Sequence, residues 1–146
     1  AYPNEFPWVV ERSGRTLSPW KDFATYQVVP LQVTTPTNLS PQAELVADRT
    51  EIQTGESVQF CPGPGTFDPD GTIVLWEYDY DFNPADPGSF TPEDIRTAAD
   101  PDQCADHIFT TFGTPNQIIY TVGMRVTDDG TPPRQGFAWT RITVNP

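Results

Sequence analysis

Along residues 72–81, TIVLWEYDYD, ring-bearing and acidic side chains take turns: Trp76, Tyr78 and Tyr80 fall on one face, Glu77, Asp79 and Asp81 on the other. That period of two is the pattern of a β-strand. Related runs follow the same rule. GESVQFC (55–61) puts Val58 and Phe60 together, and AELVAD (43–48) alternates apolar with polar. IIYTVGMRVT (118–127) aligns Tyr120, Val122, Met124 and Val126 opposite Arg125, and GFAWTRITV (136–144) sets Ala138, Thr140, Ile142 and Val144 against Phe137, Trp139 and Arg141. Short strands divided by turn residues predict an all-β sandwich over 43–146. With the rings turned to the core, Glu77, Asp79 and Asp81 are expected on a solvent face, paired in part with Arg125 or Arg141 across the sheet.

Three other stretches break the pattern. Residues 83–105 form an acidic, proline-rich insertion longer than an ordinary loop, with one helical turn expected at TPEDIRTAA, where Thr91 caps and Pro92 starts the turn. Residues 34–42, TTPTNLSPQ, have the composition of a semi-extended linker. Asn38 opens an Asn-Leu-Ser sequon there, but Pro41 behind it makes a poor glycan acceptor. Residues 1–33 carry Phe6, Trp8, Trp20, Tyr26, Val28 and Leu31, too little to close a core alone and too apolar to stay in water. These six are the expected partner contacts. They dock either in cis, on the sandwich, or in trans, as a strand added to a neighbour's sheet edge. Head-to-tail addition does not close, so it builds a fibre.

Charge narrows the partners. Twenty Asp and Glu against eight Lys and Arg leave a net charge of -12, which repels nucleic acid and anionic lipid and favours divalent cations. Seventeen prolines and ten glycines leave little room for helix. No apolar run approaches the ~20 residues a membrane span needs. The sequence starts at Ala1 without a targeting segment, as a mature secreted chain or a trimmed piece would.

The pieces TGESVQF, DPDGTIVLWEYDYDF, HIFTTFG, YTVGMRVTDDG and a final ITV occur in the order and approximate spacing of the polycystic kidney disease (PKD) domain, which residues 43–146 therefore resemble. YDYDF stands where that family carries Trp-Asp-Phe-Gly-Asp-Gly, and the usual tight turn becomes the 83–105 insertion. The resemblance implies an immunoglobulin-like β-sandwich in a secreted or surface protein. It also implies non-catalytic work in adhesion, spacing or substrate contact, and places His107 at a structural position.

In such a sandwich the second strand and the HIF strand are antiparallel neighbours, so a Cys61–Cys104 disulfide is natural, with two free buried thiols as the alternative. Asp68 and Asp70 of the DPDG turn are expected at the same end as Asp128 and Asp129, near Asn38 and Ser40. Related modules bind calcium near the domain's start, so these four acids are candidate calcium ligands, although Asp-Pro-Asp-Gly is equally good turn chemistry. No cleft or nucleophile motif points to an enzyme. Trp8, Trp20 and Trp139 are candidates for a sugar-stacking platform, against an ordinary role as core or interface anchors. Two functions follow as expectations. One is a structural subunit of an extracellular or filamentous assembly, with copies of itself as partners. The other is an accessory module binding polysaccharide or protein.

Overall fold

The computed structural model describes residues 37–146. The chain divides into two units between Thr35 and Pro36, and the expectations for residues 1–33 lie outside the described residues. Two sheets face each other. The smaller contains β1 (Leu45–Ala47), β3 (Ser57–Pro62) and β6 (Ala105–Ile108), in the order β1-β3-β6. The larger contains β2 (Glu51–Gln53), β4 (Ile73–Asp79), β5 (Asp94–Thr97), β7 (Ile118–Asp128) and β8 (Gln135–Asn145), in the order β2-β8-β7-β4-β5. All pairings are antiparallel except β2 with β8.

The leading edge changes sheets: β1 pairs with β3, and after a bend at Asp48 the chain reappears as β2 beside β8, burying Ile52. β2 was not expected from the sequence, because Glu51-Ile52-Gln53 is too short to show a period. The core contains Val58 and Phe60 from the small sheet and Tyr78, Val122, Met124, Val126, Ile142 and Val144 from the large one. These are the alternating apolar positions of the sequence. The immunoglobulin-like sandwich implied by the sequence resemblance is the architecture observed.

Three expectations are corrected. Residues 38–42 do not behave as a linker: Asn38 and Pro41 are buried, and Gln42 forms a bridge with Phe67. The helical turn at 91–99 is instead β5, because Asp94–Thr97 extends the large sheet at the β4 edge; a short 3-10 turn lies earlier, at Pro87–Ser89. The third concerns the acids of β4. Glu77 and Asp79 are only 6% and 2% exposed, so the outer face of the large sheet is not a plain solvent face. Two buried rings, Phe82 and Phe90, roof that face, packing on each other with centroids 5.5 Å apart and on Phe137.

Candidate functional site

The roof explains how the β4 acids are held. Arg125 and Glu77 are register partners on β7 and β4, and their side chains meet at 2.8 Å, while the Arg125 guanidinium lies 4.4 Å from the Phe90 ring centre. A buried carboxylate is tolerated there because it has a full cationic partner. Asp79 has none. Its Oδ1 accepts the Asp81 N–H at 3.1 Å and its Oδ2 the Thr91 N–H at 2.9 Å, tying the insertion down to β4. Burial pushes the Asp79 carboxyl up, with Asp81 adding to it; burial does the same to Glu93. Asp79, Asp81 and Glu93 place carboxylate oxygens within 4.8 Å of one another. Sequence reading missed this group because Glu93 comes from the insertion. Asp79 spends both oxygens on amides, so the group works as a clasp.

At the other end of the strands, Asp68, Asp70, Asp128 and Asp129 do come to one end of the sandwich, but in unequal roles. Asp128 is a buried hub: Oδ1 accepts the N–H groups of Arg134 at 2.8 Å and Gly130 at 3.1 Å, and Asn38 Nδ2 donates to both oxygens. Burial alone would raise the Asp128 carboxyl, yet these donors outweigh it and hold it below the usual range. Asn38 thus supplies a donor where the sequence suggested a neutral oxygen ligand, and its amide is unavailable to a glycan in the folded state. Asp70 Oδ2 accepts the Leu39 N–H at 2.9 Å, and Asp129 Oδ1 the Thr72 N–H at 3.1 Å. Asp68 differs: its Oδ2 is sealed from solvent and has no partner among the described residues. Gly71 permits the approach of these side chains, since a Cβ there would stand 2.6 Å from Asp129 Oδ1 and 2.7 Å from Asp68 Oδ2. An orphaned buried oxygen beside a second carboxylate fits a cation, so calcium at this end would be held by Asp68 and Asp129. Asp128 is taken up on both oxygens, whereas Asp70 and Asp129 each accept one backbone N–H; Asp129 is singled out by its approach to Asp68 Oδ2 at Gly71.

Cys61 and Cys104 form the disulfide, Cα atoms 4.2 Å apart, at the adjoining ends of β3 and β6. His107 is half-buried and stacked on Tyr80 at 3.9 Å between ring centres, and burial pushes its imidazole down despite the opposing charge of Asp94. It packs against the Tyr80 and Phe109 rings.

Two surfaces present exposed apolar side chains. On the outer face of the large sheet Trp139 is 53% exposed beside the Phe82 ring, with exposed Ile119 and Ile95 elsewhere on the same face. On the small sheet, β6 is an edge. Gln59 exchanges hydrogen bonds with Asp48, so it faces β1; its partner Asp106, and by alternation Ile108, turn their backbone groups away from β3. Those groups have no partner among the described residues. Ile108 is 60% exposed there, and Phe112 shortly after it is 81% exposed on a backbone with φ of 55°.

No family model matches the chain, and no curated protein does. Solved structures of similar fold include a carbohydrate-binding module of the β-sandwich superfamily, 21% identical with a TM-score of 0.54, covering 75% of this chain and 36% of that one. The chain therefore spans about a third of that structure's length. The PKD1 domain of Vibrio anguillarum Epp is 18% identical (TM-score 0.48), covering 74% of this chain and 96% of that one. The PKD1 domain of the Vibrio cholerae metalloprotease PrtV is 19% identical (TM-score 0.48), covering 74% of this chain and 100% of that one. PKD domains, the family the sequence resembles, are thus among the solved structures that match.

Proposed function

We propose that this chain is a non-enzymatic extracellular interaction module, a subunit of a cell-surface or filamentous protein assembly joined by strand addition. The observation that carries this reading is the edge of β6, which has no partner strand beyond β3 among the described residues. A short strand with outward-facing backbone groups at Asp106 and Ile108, flanked by exposed Ile108 and Phe112, offers main-chain pairing and apolar anchorage together. The apolar residues Phe6, Trp8, Trp20, Tyr26, Val28 and Leu31 of a neighbouring copy are the strand to be added. The Cys61–Cys104 bridge supports an oxidising, extracellular setting. Among the described residues no helix is long and apolar enough to cross a membrane. Electron microscopy and light-scattering mass of the chain with and without residues 1–33 test the reading: particles that need those residues support it, and monomers with them intact reject it.

A second reading, an accessory polysaccharide-binding module, is favoured by Trp139, whose half-exposed ring is braced by Phe82 on a sheet face. Depletion of the chain by insoluble polysaccharide, lost in Trp139→Ala, is its test. Calcium is proposed only for Asp68 and Asp129. Titration calorimetry should show binding weakened by Asp68→Asn and Asp129→Asn, and a flat titration removes the ion.

A further inference from the structure

Among the described residues, three strands facing five leave part of the large sheet's inner surface without a strand opposite. At the β4–β5 side the gap is closed partly by residues 98–104, held by the disulfide and by the Tyr78 hydroxyl, which donates to the Gln103 carbonyl. What stays open is a cleft of about 550 Å3, lined among others by Phe67, Asp68, Thr72, Trp76 and Gln103. That volume lies within the range of small-ligand sites.

Its chemistry is one-sided. Trp76 is half-buried and Phe67 is exposed, so both rings bring surface to the cleft. Among the described residues Asp68 is short of donors: Oδ2 has none, and Oδ1 has only the Asp70 N–H, at a long 3.4 Å. Among the described residues no Lys or Arg lines the cleft. Arg96, the cross-strand partner of Trp76, is engaged by Asp94 at 3.6 Å and by the Cys104 carbonyl at 2.9 Å. Arg134 is engaged by the Asn38 carbonyl at 2.6 Å. Asp70 and Asp129 add negative charge beside Asp68. Aromatic rings together with an under-supplied carboxylate are what an ammonium group requires: the rings attract the cation through their faces and the carboxylate accepts its N–H groups.

We propose that this cleft binds a primary alkylammonium group, with Trp76 and Phe67 as its walls and Asp68 as its counter-ion. Asp68 meets the ligand by a turn of its carboxyl about the Cβ–Cγ bond. Uronates and sulfated sugars are excluded by charge. The two sources of such a group are a lysine side chain on a protein partner and an amine-bearing sugar.

Titration calorimetry on the full chain separates them, with Nα-acetyl-lysine methylamide and glucosamine as probes and their N-acetylated counterparts, Nα,Nε-diacetyl-lysine methylamide and N-acetylglucosamine, as controls. Binding of either amine, at least about tenfold weaker for its acetylated form and for Asp68→Asn, supports the inference. The amine that binds identifies the source. Phe67 is exposed, so Phe67→Ala leaves the fold intact and should also weaken binding. Calcium that displaces the amine supports the shared use of Asp68. The chain's single lysine, Lys21, is removed in a parallel Lys21→Gln sample, so that an amine bound only there still supports the site. Equal binding of amine and acetylated amine, or no amine binding at millimolar probe in either sample, overturns it. The titration reads ligand binding and not assembly, so it stands or fails apart from strand addition.

Discussion

The Phe82 ring lies so close to Gly123 that a Cβ at that position would stand 2.6 Å from it. This contact seats the roof on the outer face of the large sheet, and the burial of Glu77 and Asp79 depends on it. Gly123 lies in mid-strand on β7 opposite Trp139, where alanine is otherwise the better strand residue. Gly123→Ala should nevertheless destabilise the fold by about 1–3 kcal/mol, because the ring has to move. Urea unfolding measures the loss, and a neutral or stabilising result would show that the roof is not seated there.

Arg125 and Glu77 form a partly buried pair beneath Phe90. Arg125→Met leaves Glu77 without its cation and should cost about 3–5 kcal/mol, whereas the double change Glu77→Leu with Arg125→Met should recover most of it. A double-mutant cycle by urea unfolding reads the coupling. Additive losses would mean that the two side chains do not depend on each other.

Asp79, Glu93, His107 and Asp128 are among the groups that make stability depend on pH, and they act in two directions. His107 is lowered from 6.5 and Asp128 from 3.8, so each contributes stability above its ordinary value that is lost as pH falls through its folded one. Asp79 from 3.8 and Glu93 from 4.5 are raised, so their contribution is present at low pH and is lost as pH rises through their folded values. Asp79→Asn should therefore flatten the decline on the alkaline side of 3.8, and His107→Gln should flatten the one just below 6.5. Unfolding midpoints across pH test both, and unchanged slopes would contradict the assignment.

Reducing the Cys61–Cys104 bridge opens a loop spanning a separation of 43 residues and should cost about 3–4 kcal/mol through the freedom returned to the unfolded chain. Urea unfolding with and without reductant measures it. A loss under about 1 kcal/mol would mean that the insertion is held by the Asp79 clasp and the Tyr78 hydroxyl without the bridge.

The sandwich was legible because its long strands bury alternate residues, so Tyr120–Val126 and Ala138–Val144 show their period directly. The Cys61–Cys104 bridge was legible only through the immunoglobulin-like strand order that the family resemblance implies. The fate of Glu77 and Asp79 was not legible. Alternation assigns them to the face away from the core, but only tertiary structure shows that Phe82 and Phe90 fold back over that face. The clasp with Glu93 was hidden for the same reason, since its third member comes from an aperiodic insertion. At the opposite end, the DPDG and TDDG pieces marked the right acids. What the sequence hid there was the division of labour, with Asp128 taken up by Asn38, Gly130 and Arg134 while Asp68 keeps an oxygen without a partner among the described residues.

Strand addition at β6 is tested most directly by the light-scattering mass of the full chain beside Ile108→Pro. The change removes an N–H that points away from β3, which an edge strand tolerates in the monomer. The full chain should form particles much larger than 16.3 kDa, and Ile108→Pro should leave a folded monomer. A full chain that stays monomeric, or particles that persist unchanged in Ile108→Pro, would contradict assembly through this edge.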